Sequence, residues 1–240
     1  MRALTACTLT SLLAVTALLR PQAREALPTA APLPAVRAPA IDPDDCALLL
    51  IDAQQPFIDR MAAAEEPVLL RLEQFLVLAQ ETELPLIATF EVPTERNGEL
   101  PARLERLFPP HGKRFAKHLF DATASEEIRK ALQAASRRQI VVAGAETDVC
   151  VLQTVLGLRR LGFEVFVLAD TVFSHEPWVA PAFDRMRDAG AWVTTYKSFF
   201  FELIRGVGAG DQPPEWRERY RRLGHLERSP YDLPPYRPLR

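Results

Sequence analysis

The sequence predicts an α/β protein with three layers, α/β/α, built on a six-stranded, mostly parallel sheet. Three observations carry this prediction. Ala47 to Ile51 (ALLLI) is continuously apolar, as expected of a strand buried on both faces. Ile140 to Ala143 repeats that character and runs into Gly144 and a short polar turn. Between and beyond these runs, short apolar stretches alternate with segments of helical periodicity, the mark of strand–helix–strand units.

The elements follow in order. The first strand ends at Asp52. Pro67 opens a helical pattern that places Val68, Leu72, Phe75, Leu76 and Ala79 on one face. Leu84 to Phe90 reads as the second strand, 91–112 as a loop with one short helix, and Phe115-Ala116 as a brief third strand. Thr123-Ala-Ser-Glu126 fits a capping box and sets a helix at 125–136. Strand four, Gln139 to Ala143, leads to a helix from Asp148 to Leu161, with Thr147 as its expected N-cap and Gly162 closing it. Strand five is Glu164 to Leu168. A helix over 178–189 ends at Gly190, strand six is Trp192 to Thr195, and a short helix over 198–205 follows.

Length and composition bound the function. The chain has 240 residues, enough for one α/β domain, placed at 44–206, with flanking segments. A core of roughly 170 residues buries about 70% of its extended-chain surface, so no disulfide or metal staple is required. The net charge of −2 argues against nucleic acid as the main partner. Residues 1–43 read as an extension and linker. Arg2 and the apolar stretch after it resemble a signal peptide, but four threonines and the lack of a small-x-small cleavage site do not. Cytoplasmic placement is favoured unless residues 1–20 act as an export signal. No other stretch is apolar for long enough to span a bilayer. Residues 207–240 form a Pro- and Arg-rich tail.

Ligands of open parallel sheets bind beyond the carboxyl ends of the strands. Three reactive residues map there independently. Asp52 ends strand one, Lys117 follows strand three, and Cys150 enters the helix after strand four. A helix N-terminus carries partial positive charge and free N–H groups, which favour thiolate over thiol. Each residue also has a plainer reading: a solvated carboxylate, a surface cation, a small buried hydrophobe. Of the other cysteines, Cys7 lies in the extension and Cys46 opens a strand; neither has the spacing of a metal site or disulfide framework.

The segments LLLIDAQQPFID, AKHLFDA and VVAGAETDVCVLQTVLGLRRLGFEVFVLAD resemble the isochorismatase-like cysteine hydrolase family, over about 45–200 of the chain. Gly144, Thr147, Cys150 and Val151 form the most specific element, and Asp52, Gln54 and Phe57 a second. The resemblance implies a Cys–Asp–Lys triad. Cys150 attacks a carbonyl carbon, Asp52 takes its proton and Lys117 supports both. Backbone N–H groups of Glu146 and Cys150 meet the oxyanion, the first presented by a cis peptide at Ala145–Glu146. Phe57 and Gln54 become candidate substrate contacts, and Glu91 and Arg96 weaker ones. The resemblance also implies a homo-oligomer, which the apolar Phe199-Phe200-Phe201 cluster fits, although that cluster equally fits a core.

Nicotinamidases carry an Asp-x-His-Pro metal element after the second strand, where this chain reads ATFEVPTERNG. The TFEVP…NGELP segment resembles a metal-free hydrolase subgroup instead, so neither metal nor cofactor is expected. His175 as a papain-like partner of Cys150 reads more simply as part of a helix start. Asp170 reads as a brace, and Asp148 as a charge that opposes thiolate at Cys150. The expectation is a hydrolase of small C–N substrates, set against a non-catalytic binding module on the same scaffold.

Overall fold

The computed structural model describes residues 39–62, 65–206 and 213–227. The possible signal segment at 1–20, most of the linker and the end of the tail lie outside them. In chain order the elements are β1 (Cys46–Ile51), α1 (Gln55–Ile58), α2 (Glu65–Thr82), β2 (Leu86–Glu91), α3 (Thr94–Asn97), α4 (Ala102–Glu105), β3 (Lys113–Lys117) and α5 (Glu126–Ala134). They continue with β4 (Gln139–Ala145), α6 (Leu152–Arg160), β5 (Glu164–Phe173), α7 (Ala180–Asp188), β6 (Trp192–Thr194), α8 (Tyr196–Ile204) and α9 (Pro214–Leu223). The strands form one sheet in the order β3-β2-β1-β4-β5-β6. Every pairing is parallel, so the expected "mostly" becomes all.

Period-2 alternation along β1 divides the core. Cys46, Leu48 and Leu50 pack with Leu72, Phe75 and Leu76 of α2 and with Phe199 and Phe200 of α8. Ala47, Leu49 and Ile51 face the opposite layer, with Ile128 of α5, Val155 and Leu158 of α6 and Met186 of α7. A strand covered by helices on both sides must be apolar at every position, and β1 is. The aromatic cluster in α8 is therefore core: Phe199 and Phe200 are fully buried, and Phe201 packs against them at the margin. Packing also reaches beyond the strands at either end. Ile41 is fully buried, with its N–H donated to Glu202 Oε2 at 2.5 Å, and Leu223 and Leu226 join the same layer. Among the described residues no helix is long and apolar enough to cross a membrane.

Local chemistry departs from the expected caps. Ser125, not Thr123, precedes α5, and it makes no side-chain capping bond. Thr123 lies in a 3-10 turn over Ala122–Ala124, and its hydroxyl donates to Asp121 at 2.6 Å. Thr147 likewise is not the N-cap of the helix after β4. It begins a π-helical turn, Thr147–Val151, preceded by Glu146. β3 runs through to Lys117, and β5 runs on to Phe173 past an irregularity in its pairing with β4. That irregularity frees Asp170 to accept from Tyr196 N–H at 2.7 Å and to pair with Arg71 at 3.0 Å, bracing α8 against α2.

β4 packs tightly against β1 at Gly144, whose φ is +110°. A Cβ there would lie 1.9 Å from the Ile51 carbonyl oxygen. Gly144→Ala combines forbidden φ with a backbone clash that no rotamer relieves. It should cost at least about 3 kcal/mol, read as a lower urea midpoint at unchanged m-value.

Candidate active site

The chain lays down β1, β2 and β3 in one direction and then returns to place β4 on the other side of β1. The carboxyl ends of β1 and β4 therefore flank the point where strand order reverses, which is where ligands enter such sheets. Asp52 stands at the end of one strand and Cys150 in the turn after the other. Lys117 and Glu91 end β3 and β2, and are register partners. The lysine's long stem crosses the tip of β2 to reach β1, a distance its four methylenes suit.

Asp52 is 1% exposed and its backbone adopts φ +43°, a left-handed conformation uncommon outside glycine. Its position is fixed twice by Thr89. The Asp52 N–H donates to the Thr89 carbonyl at 3.1 Å, and the Thr89 hydroxyl donates to Asp52 Oδ1 at 2.8 Å. The other carboxylate oxygen lies 2.6 Å from Lys117 Nζ. Lys117, also buried, donates to Cys150 Sγ at 3.4 Å. One ammonium therefore touches both the carboxylate and the sulfur.

Burial lifts the Asp52 carboxyl above the usual carboxylate range, and Lys117 offsets this only in part. Burial acts downward on Lys117, but the Asp52 charge and the hydrogen bonds to Asp52 and Cys150 outweigh it and its proton is held more tightly. Cys150 moves upward, through burial first and the Asp52 charge second, against the pull of Lys117. Burial and the Asp52 charge thus work against the thiolate that a helix N-terminus favours. The Cys150 thiol lies beside a carboxylate made more basic by burial.

Glu91 enters the same cluster. Cys150 Sγ donates to Glu91 Oε2 at 3.4 Å, and Lys117 Nζ lies 3.9 Å from that oxygen. Gln54 holds this residue from below. Its Oε1 accepts from Glu91 N–H at 2.8 Å, and its Nε2 donates to the carbonyls of Glu91 at 3.1 Å and Gly98 at 2.8 Å. Gln54 is fully buried, with both amide hydrogens committed to that loop. Phe57, in α1, packs at the edge of the core with the Arg60 guanidinium 5.7 Å from its ring. Arg96 is exposed on α3.

The Ala145–Glu146 peptide is cis. The Glu146 carbonyl accepts from Val149 and Val151 N–H groups, and its carboxylate receives the His175 ring Nδ1 at 2.6 Å. His175 thus pairs with Glu146, and Asp148 accepts from the Ser174 hydroxyl at 2.7 Å. The segment after β5 thereby clamps the turn that carries Cys150.

Asp52, Glu91 and Cys150 offer three metal-type donor atoms within 4.8 Å of one another. The donor set does not suit a cation, because the Lys117 ammonium already lies against the same three side chains. A cavity of about 210 Å³ opens on the outer flank of Lys117, lined also by Ala116, His118, Leu119, Asp121 and Ser125. Asp52 and Cys150 are not among its walls, so it adjoins the cluster rather than containing it.

Sequence reasoning undervalued Glu91 and overlooked Thr89. The signal for Thr89 was present: a hydroxyl in a run that is otherwise apolar from Leu86 to Phe90, in register with Ile51 just before Asp52.

A thiol, a carboxylate and an ammonium gathered at the reversal point of a parallel sheet form an arrangement that nucleophilic catalysis can use. Comparison with known proteins is specific. Residues 46–198 match the isochorismatase domain, and the chain belongs to the isochorismatase-like hydrolase family. The probable hydrolase YcaC of Escherichia coli K12 is 29% identical over 207 residues, covering 83% of this chain and 91% of that protein. Its crystal structure, described as an octameric hydrolase of unknown specificity, superposes with a TM-score of 0.71, covering 81% of this chain and 90% of that one. YcaC from Pseudomonas aeruginosa, solved with hexane-2,5-diol and covalent acrylamide, is 28% identical with a TM-score of 0.70, covering 78% of this chain and 89% of that one.

Proposed function

We propose that this chain is a metal-independent cysteine hydrolase that cleaves the C–N bond of small amides or related compounds. The observation that carries this reading is Lys117 Nζ, set between the Asp52 carboxylate and the Cys150 sulfur. Sγ bonds to the carbonyl carbon as its proton passes to Asp52, and the carbonyl oxygen takes the electron pair. Backbone N–H groups of Glu146 and Cys150 meet that oxygen, each such donor being worth about 3–4 kcal/mol at the transition state. The C–N bond then breaks as Asp52 returns the proton to the departing nitrogen, leaving a thioester. Asp52 next takes a proton from water, whose oxygen attacks the thioester carbon; the acid leaves as the S–C bond breaks and Asp52 returns the proton to Sγ.

Lys117 keeps Asp52 in place throughout and balances its charge. Gln54 acts through the loop it holds, and Phe57, packed at the edge of the core, is the candidate substrate contact. The covalent acrylamide on the P. aeruginosa relative supports a nucleophilic side chain in this family. The octamer described for the E. coli relative supports a homo-oligomer here. The test is release of ammonia or amine from a panel of small amides, ureides and carbamoyl compounds. Turnover that disappears in Cys150→Ala supports the reading. Turnover that survives in Cys150→Ala refutes it, and a panel that is bound without turnover favours a non-catalytic binding module.

A further inference from the structure

We propose that Glu91 sets substrate specificity. Its carboxylate selects neutral or cationic amides with an N–H on the scissile nitrogen, and rejects compounds with an anionic group beside the reacting carbon. This rests on the reading of Cys150 as the nucleophile.

Proton transfer needs only one carboxylate, and the proposed function gives that part to Asp52. Glu91 is a second, built to stay. Gln54 binds its backbone N–H and carbonyl, and Asn97 Nδ2 donates to Glu91 Oε1 at 3.2 Å. The remaining oxygen, Oε2, lies 3.4 Å from Cys150 Sγ. A carbon bonded to that sulfur carries its nitrogen only one bond further out, within hydrogen-bond reach of Oε2. An N–H there finds an acceptor, whereas a substituted nitrogen or a carboxylate meets unsatisfied lone pairs and like charge. Lys117 does not cancel that charge, because it lies 2.6 Å from Asp52 and 3.9 Å from Glu91. Two carboxylates thus share one ammonium. Glu91 is also more open than its partners, its side chain 23% exposed against 1% for Asp52 and Lys117, as suits a group that meets an incoming molecule.

Two alkylating reagents test this on the full chain without knowledge of the substrate. Iodoacetamide and iodoacetate present the same carbon and lose the same iodide as the S–C bond forms, while the thiol proton passes to base. They differ in carrying a carboxamide or a carboxylate. Site-resolved mass spectrometry at near-neutral pH gives both rates at Cys150, with a free small thiol as reference. The expected preference for iodoacetamide exceeds that of the free thiol by about 100-fold, and Glu91→Gln should narrow it by about 10-fold or more, the range of one charge-assisted hydrogen bond. Glu91→Ala reads the same ratio if the Gln variant folds poorly. A ratio unchanged in both variants, or no larger than that of the free thiol, overturns the proposal. Absolute rates report separately on the nucleophile: labelling of Cys150 no faster than that of buried Cys46 removes the hydrolase reading, while the ratio still reports on Glu91.

Discussion

Lys117→Met should destabilise the fold by about 3–5 kcal/mol and abolish turnover. Methionine matches the lysine stem in length and apolar character, so the loss is electrostatic rather than a cavity. It leaves Asp52, 1% exposed, with the Thr89 hydroxyl but no countercharge. The carboxyl, already raised by burial, then rises further because the Lys117 charge that lowered it is gone. A folded-state pKa above the unfolded value of about 3.8 means that the folded variant holds a proton the unfolded chain releases. Its stability is therefore greatest at low pH and falls as pH rises from there through the folded value. Urea titrations at acid and neutral pH check this: the deficit against wild type should shrink on acidification. Asp52→Asn combined with Lys117→Met should recover much of the loss, since it removes both charges. A deficit independent of pH, or a double variant as unstable as the sum of its parts, contradicts a buried charge pair.

Cys150→Ala should lower turnover by about ten-thousand-fold or more, because the remaining groups cannot form the covalent intermediate. The fold should change by only about 1 kcal/mol, since one buried sulfur is lost and neither Asp52 nor Lys117 loses its main partner. Substrate dissociation constants should stay within a few-fold of wild type. Thermal melting, equilibrium binding and amide turnover separate these effects. The raised thiol of the wild type gives a second mark, with Cys150 alkylation accelerating as pH rises through the alkaline range. A plateau near neutrality points to a resting thiolate.

The layer architecture was legible because β1, and β4 from Ile140 onward, are continuously apolar and buried on both faces, and no surface helix reads that way. The reactive side chains were legible for a related reason: Asp52 and Cys150 each follow such a run, where the sheet exposes its carboxyl ends. The upward shift of the Cys150 thiol was not legible. It depends on the balance between burial and the approach of Asp52 and Glu91, which arrive from strands distant in sequence. Gln54 looked like a substrate contact from its place in a short pattern. Only the path of the loop after β2 shows that its amide holds Glu91 and Gly98. The caps failed at Thr123 and Thr147 because 3-10 and π turns occupy those sites, and such turns leave no period for sequence to reveal.

One measurement bears most directly on the sulfur as nucleophile. The protein is mixed with p-nitrophenyl acetate, quenched in acid and mapped by peptide mass spectrometry. A burst of p-nitrophenol stoichiometric with the chain, and an acetyl group on the peptide bearing Cys150, are the predicted result. An acetyl group confined to Cys46, or a burst that persists in Cys150→Ala, contradicts it.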